Sequence, residues 1–479
     1  MKRILLALAI LVVPVAAVVL YNTFTFSSIQ YTVKASPAPE VSPEQLQHFQ
    51  QALAYRTVSF ADSSRLDSAQ FKGFHRFLRQ TYPRVHQTMT LQVFKTYSLL
   101  YTWPGKDPSL KPYILMAHQD VVPIEEASRA MWTVDPFEGV IKEGYIWGRG
   151  TSDDKINLIS IMEAAEKLIA ENYQPERTIY LVFGHDEEVG GGGAIAMATW
   201  FKEQNLEAEL VLDEGGIVTR EKIPGIDKPV ALIGNAEKGY LSLELSVEKS
   251  GGHSSMPEKE TAIDILMAAI QKLRAQPFEA RFSEPMEGFI ASLGPEMPFV
   301  QKMAFANTWL FKSAIVSTYE QSGPGNAMIR TTLVPTILES GIKDNVVPTV
   351  AKATVNLRLL PGDAADQVIA QLQQMVADDR VRFKKLEPLA EASPVTPMNS
   401  AGFKKVEASI KQSLPGTLSS SFLVIGATDS RHFTGISPHV LKFSPMIDPI
   451  GFHGIDERVS VESYQTALWF FENLMRNAN

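Results

Sequence analysis

No cysteine occurs in the 479-residue sequence, which excludes disulfides, thiolate metal ligands and a thiol nucleophile. Any metal must be held by His, Asp and Glu. Basic residues are outnumbered, 45 against 53 acidic, for a net charge of −8, so a broad basic surface for a phosphate backbone is lacking and nucleic acid is excluded as a partner class. Internal repeats are lacking too, and the only low-complexity stretch is the run Gly190 to Gly193. What is present is a 45% hydrophobic composition, ordinary for a chain that buries a sizeable core.

One long apolar run exists, from Ile4 to Tyr21, broken only by Pro14 and preceded by Lys2 and Arg3. This is an export signal. Its length approaches the ~20 residues that span a bilayer, and no clear small-x-small cleavage site follows, so residues 1–22 are read as an uncleaved anchor, with a cleaved signal peptide and a secreted product as the alternative. The positive-inside tendency places Lys2 and Arg3 in the cytoplasm and the rest of the chain outside it.

Residues 23–41 read as a linker. Ser42, Pro43 and Gln45 then supply an N-cap, a first-turn proline and a capping-box partner for a helix that buries Leu46, Phe49 and Leu53. An α/β pattern follows. Tyr113 to Ala117, Thr178 to Phe183 and Leu210 to Leu212 are short apolar runs suited to buried strands, and 156–169 has helical apolar spacing. Leu241, Leu243, Leu245 and Val247, and later Ala351 to Leu359, alternate as half-exposed strands do, accompanied by helices near 261–276 and 363–377. The expected organisation is a catalytic α/β domain, 42–238 and 391–479, with a mostly parallel sheet flanked by helices, and an inserted α+β lid or dimerisation domain over 239–390.

Each buried strand runs into polar residues: His118-Gln119-Asp120, His185-Asp186-Glu187-Glu188, and Asp213-Glu214. In open α/β sheets ligands gather beyond the carboxyl ends of the strands, so these clusters converge on one crevice, which Asp153 also reaches from Gly148 to Lys155. Taken singly, a histidine at a strand end is usually a satisfied core or surface residue. Four such pieces together point to a cation, because like charges at short range destabilise one another unless neutralised. His and carboxylate donors suit zinc, with cobalt or manganese possible. The pair Glu187-Glu188 permits one carboxylate to bind metal and the other to move protons.

Met116 to Pro123, Gly148 to Lys155, Gly184 to Glu188, Asp213 to Gly216, Gly251 to Ser255 and Phe452 to Gly454 resemble, in order and spacing, the co-catalytic di-zinc peptidases that include aminoacylases, carboxypeptidase S and glutamate carboxypeptidase. Asn307 to Phe311 and Thr428 to Arg431 point to the branch holding carboxypeptidase S and N-fatty-acyl-amino-acid synthase/hydrolases, although Ala427 stands where that branch tends to have Asn. The resemblance implies two zinc ions. His118 and Asp213 would hold one, Glu188 and His453 the other, and Asp153 would bridge them; Glu214 offers the same chemistry as Asp213. It implies Glu187 as general base and acid, and Asp120 as the residue that orients His118. His253 would stabilise the oxyanion, reaching the partner's site in a homodimer, and Arg431, assisted by Asn345, would bind the substrate carboxylate.

The implied reaction is hydrolysis, in principle reversible, of the amide bond of an N-acyl amino acid with a free carboxylate. Carboxypeptidase or dipeptidase action is the alternative within the class, and a non-catalytic binding module on the same fold the alternative outside it. Phe289, Phe299, Phe305, Trp309 and Phe311 lead to the expectation of an apolar surface beside the cleft, favouring a long acyl chain.

Overall fold

The computed structural model describes residues 2–35 and 39–479, with side chains from residue 12 onward. The capping box at Ser42 forms as its sequence predicts: Ser42 Oγ accepts from Gln45 N and Gln45 Oε1 from Ser42 N, opening the helix Pro43–Ala54.

The largest sheet has nine strands, in the order Thr90–Phe94, Ser98–Trp103, Ile179–Gly184, Tyr113–His118, Leu210–Asp213, Val440–Lys442, Val230–Glu237 and Leu418–Val424, with Val218–Thr219 paired to Val230–Glu237. Tyr113–His118 pairs in parallel with both Ile179–Gly184 and Leu210–Asp213. Strands of this kind carry no polar alternation because both faces are covered. Tyr113, Leu115 and Ala117 enter one core with the helices Lys155–Ala170 and Val461–Arg476. Ile114 and Met116 point the other way, onto Ala194, Met197 and Phe201 of the helix Gly192–Glu203.

A second sheet is antiparallel throughout, in the order Thr332–Ser340, Val350–Leu359, Gly239–Glu248 and Val381–Ala390. Leu241, Leu243, Leu245 and Val247 face the helices Ala262–Ala275 and Ala365–Val376 in a separate core.

Two expectations about organisation need correction. Within 239–390 the helices Glu284–Leu293, Phe299–Ala306, Thr308–Tyr319 and Gly323–Ile329 contribute no residue to the core of the second sheet. Met286, Phe289, Ile290 and Leu293 instead join Ile226, Val230 and Leu418 of the first. There they cover the edge strand Leu418–Val424, whose Ser421 donates to Pro285 O and whose Ser420 accepts from Ser292 Oγ, both at 2.8 Å. Covering an edge strand removes a row of unpaired backbone groups from solvent.

The segment 23–41 is not a free linker either. The first helix, Lys2–Thr25, runs into it, and Gln30 donates to Ser419 O at 2.8 Å while Lys411 Nζ reaches Gln30 Oε1 and Tyr31 O. Ser36, Pro37 and Ala38 lie outside the described residues, as do the side chains from Lys2 to Leu11 on which the anchor expectation partly rests. Among the described residues no helix is long and apolar enough to cross a membrane.

Candidate metal centre

Three parallel strands end side by side and deliver the first donors. His118 is the last residue of Tyr113–His118, Gly184 ends the neighbouring strand just before the turn of Glu187 and Glu188, and Asp213 ends Leu210–Asp213. Asp153 comes from the loop before the helix Lys155–Ala170, and His453 from the loop before Arg458–Ser460. Asp153 is the hub: its Oδ1 lies 2.8 Å from His118 Nε2 and its Oδ2 2.6 Å from His453 Nε2.

Two groups of potential metal donors result. One is His118, Asp153 and Glu214, the other Asp153, Glu188 and His453, each with its ligand atoms within 4.8 Å of one another. A carboxylate that turns one oxygen to each of two imidazoles has the form of a bridging ligand, and the N/O donor chemistry fits zinc. Glu188 Oε1 is buried, and its one close partner among the described residues is His453 Nε2 at 3.2 Å. A buried carboxylate held only by an imidazolium suits a place where a cation replaces the proton.

Glu214, not Asp213, stands with His118: its Oε1 is 3.4 Å from Nε2. Asp213 is occupied elsewhere. Its Oδ2 accepts from Ser430 N at 2.7 Å and its Oδ1 from Glu214 N at 3.0 Å. The structural reason is that Asp213 still belongs to the strand and points beneath the turn carrying Ser430 and Arg431, whereas Glu214 is the first residue beyond it.

Asp120 is fully buried and serves both sides of the site. Its backbone oxygen faces His118 Nδ1 at 3.0 Å, with Oδ1 at 3.3 Å. The carboxylate also accepts from Glu187 N and Glu188 N, each at 3.2 Å, and from Ser59 Oγ at 2.6 Å. One side chain thus orients the first imidazole and fixes the two glutamates.

The electrostatics follow from crowding carboxylates in a dry crevice. Burial, then the nearby Asp429, pushes the Glu187 carboxyl well above the usual carboxylate range. Burial also raises Glu214 well above it, and Asp153 adds to the effect. Burial alone would lower His118, but Glu214, Asp120 and Asp153 outweigh it and hold the ring well above its ordinary value. Hydrogen bonds from His453 to Asp153 and Glu188 raise His453 to about 10. Without metal both imidazoles are thus biased towards the protonated form.

The remaining sequence candidates fall outside the two donor groups. Arg431 is half-buried on the turn Asp429–Phe433, with Nε 3.1 Å from His432 Nε2. His253 and Asn345 are exposed together on a small arm, where Gly252–His253 pairs with Val346–Val347 and Ser254 N donates to Asn345 O.

Sequence reasoning missed Glu457. Wholly buried, it accepts from Arg149 Nη1 at 2.5 Å, Ser152 N at 2.8 Å and Gly150 N at 3.0 Å, while Arg149 also donates to the backbone oxygens of His453 and Gly454. This pair ties the Asp153 loop to the His453 loop. The only signal for it in sequence is its place four residues after His453. A cavity of about 580 Å³ lies away from these donors, between Asn22 and Phe26 of the N-terminal segment and Phe282, Ile290 and Phe305.

Comparison with known proteins agrees with this geometry. A probable carboxypeptidase S-like 2 of Dictyostelium discoideum is 36% identical over 483 residues, covering 98% of this chain and 92% of the relative. The human N-fatty-acyl-amino acid synthase/hydrolase PM20D1 is 37% identical over 438 residues, 89% of this chain and 86% of its own length. Among solved structures, the M20 family metallo-carboxypeptidase Sso-CP2 from Sulfolobus solfataricus shares the fold, with a TM-score of 0.66 at 17% identity over 91% of this chain and 99% of that one. The profile of peptidase family M20/M25/M40 matches residues 114–477, which include every donor described above, and the chain belongs to that family.

Proposed function

We propose that the protein is a zinc-dependent hydrolase that cleaves, reversibly in principle, the amide bond of N-acyl amino acids bearing a free carboxylate. The observation that carries this reading is Asp153 held between His118 and His453 with Glu187 fixed beside them. In this reading His118, Asp153 and Glu214 hold one ion, and Asp153, Glu188 and His453 the other. When bound, the ions supply Lewis acidity for the scissile carbonyl and lower the pKa of water.

The chain's own residues do the rest. Glu187 takes a proton from the attacking water and returns it to the leaving amine; burial and the nearby Asp429, which raise its carboxyl, favour a group that both accepts and donates a proton. Arg431 binds the substrate carboxylate through its guanidinium, and Asp213 holds the Ser430 backbone that carries it. His253 and Asn345, exposed on the arm, complete the site of a second copy, where His253 stabilises the oxyanion. The first helix anchors the enzyme outside the cytoplasm.

Likeness to N-fatty-acyl-amino acid synthase/hydrolases supports a long acyl chain, and likeness to carboxypeptidase S-like proteins supports a second reading, release of a C-terminal amino acid from a short peptide. Zinc-loaded protein assayed on acetyl and long-chain N-acyl amino acids, on dipeptides, and on each with its carboxylate amidated separates the two. The proposal expects free amino acid from the long-chain substrates and no turnover of the amidated ones. Turnover of dipeptides alone favours the second reading, and turnover of none overturns both.

A further inference from the structure

The two helices Phe299–Ala306 and Thr308–Tyr319 are rich in apolar residues, yet of all their side chains only Ile315 is buried. Phe299, Val300, Trp309 and Leu310 are between 45% and 68% exposed. Large apolar side chains left exposed on adjoining helices are of the kind that marks an interaction site. From Met297 to Tyr319 there is no acidic residue, and the only charges are Lys302 and Lys312. In a chain of net charge −8, that is a local reversal of sign.

The first helix is locked to this surface. Asn307, fully buried, donates through Nδ2 to Val19 O at 3.1 Å and Thr23 Oγ1 at 3.3 Å, and its Oδ1 accepts from Asn22 Nδ2 at 2.9 Å. Phe24 and Phe299 meet with ring centroids 6.1 Å apart. Beyond this contact, every residue from Val12 to Val18 is exposed and none is charged. Water is a poor solvent for that stretch, and no part of the described chain covers it.

We propose that the face formed by these two helices docks on a phospholipid bilayer, so that the catalytic body sits on the membrane in a fixed orientation. The inference rests on the anchor reading given under the proposed function and goes beyond it: the body is held by a surface, not suspended from a tether. Continuity decides the occupant. The last turns of the helix Lys2–Thr25 pack on the helices in question, and the uncharged, exposed run from Val12 to Val18 extends directly from that contact. Where the first helix leaves the bilayer, Phe299, Val300, Trp309 and Leu310 lie at the interface. Tryptophan favours that level, and Lys302 and Lys312 suit anionic headgroups.

The absence of native cysteine gives a direct test. Val300→Cys, Trp309→Cys, Val15→Cys and, as an exposed control on the helix Pro83–Thr88, Gln87→Cys are each labelled with an environment-sensitive fluorophore in the full chain. The labelled proteins are reconstituted in vesicles of phosphatidylcholine and phosphatidylglycerol. Labels at 300 and 309 should shift their emission to shorter wavelength, lose intensity to nitroxide-bearing lipids and resist iodide, whereas the label at 87 should lose intensity to iodide alone. Iodide access at 300 and 309 equal to that at 87 overturns the proposal. So does shielding from iodide without quenching by lipid, which assigns the face to a second copy or another protein. The label at 15 reports the anchor separately: lipid quenching at 15 with water access at 300 and 309 sinks the docking surface alone, and the converse sinks the anchor and leaves the docking surface standing.

Discussion

Glu187 and Glu188 are neighbours whose N–H groups share one acceptor, Asp120, yet they should fail differently when changed. Glu187→Gln leaves both donor groups intact, so zinc content should stay near that of the wild type while turnover falls by roughly 100- to 10,000-fold, the usual loss of a general base. Metal analysis beside steady-state rates checks both halves. A second pair separates by the same logic. Glu214→Gln removes a donor beside His118 and should weaken zinc binding, whereas Asp213→Asn should keep the metal and raise KM, because it disturbs the Ser430 backbone that carries Arg431. The reverse pattern would return Asp213 to the metal.

Protons compete with metal at the two imidazoles. With His453 raised to about 10 and His118 held well above its ordinary value, zinc must displace a proton from each ring, so affinity should climb with pH across the neutral range and beyond. Competition titrations against a chelator at several pH values measure this, and a flat profile would contradict it. For metal-stripped protein the sign reverses. A histidine whose folded pKa lies above its unfolded 6.5 stabilises fully below that value, so the stability should be lost as pH rises through about 10. Thermal melts of the stripped protein should fall over that window.

At the scale of elements, the strand ends were the legible part. Tyr113–His118, Ile179–Gly184 and Leu210–Asp213 fall where continuous apolar runs place them, because strands buried on both faces admit no polar residue until they end. The loops between were less legible. Arg149 and Glu457 are 308 residues apart and read in sequence as two ordinary charges; burial makes them a clamp on the Asp153 and His453 loops. Glu457→Ala leaves the buried Arg149 without a counter-charge, at a cost of about 3–5 kcal/mol. We expect a lower melting temperature together with weaker zinc binding, and unchanged zinc affinity would show that the two loops hold their geometry without the pair.

At the scale of the molecule, the arm bearing His253 and Asn345 is exposed, so on the proposed reading each active site borrows from a second copy. Glu187→Gln and His253→Ala proteins, each nearly inactive alone, should then regain activity when mixed, since hybrid dimers contain one complete site. Mixing without recovery would confine His253 to its own chain. The N-terminal region also belongs to this scale. Asn307, part of a motif singled out in sequence, turns out to bind Val19, Asn22 and Thr23 of the first helix, a contact that no local pattern encodes.

The sequence by itself determined the α/β class, the strand ends that carry His118, Glu187, Glu188 and Asp213, and the donor chemistry, because apolar periodicity and residue type are local properties of the chain. Only the tertiary structure shows Glu214 beside His118 and Asp213 turned away, because the Ser430 backbone captures the Asp213 carboxylate from across the sheet. It also decided that the helix Glu284–Leu293 covers the strand Leu418–Val424 and that Phe299–Ala306 meets the first helix, where sequence order assigns both to the inserted domain. An apolar face shows in sequence that it must be covered; what covers it depends on contacts between residues hundreds of positions apart.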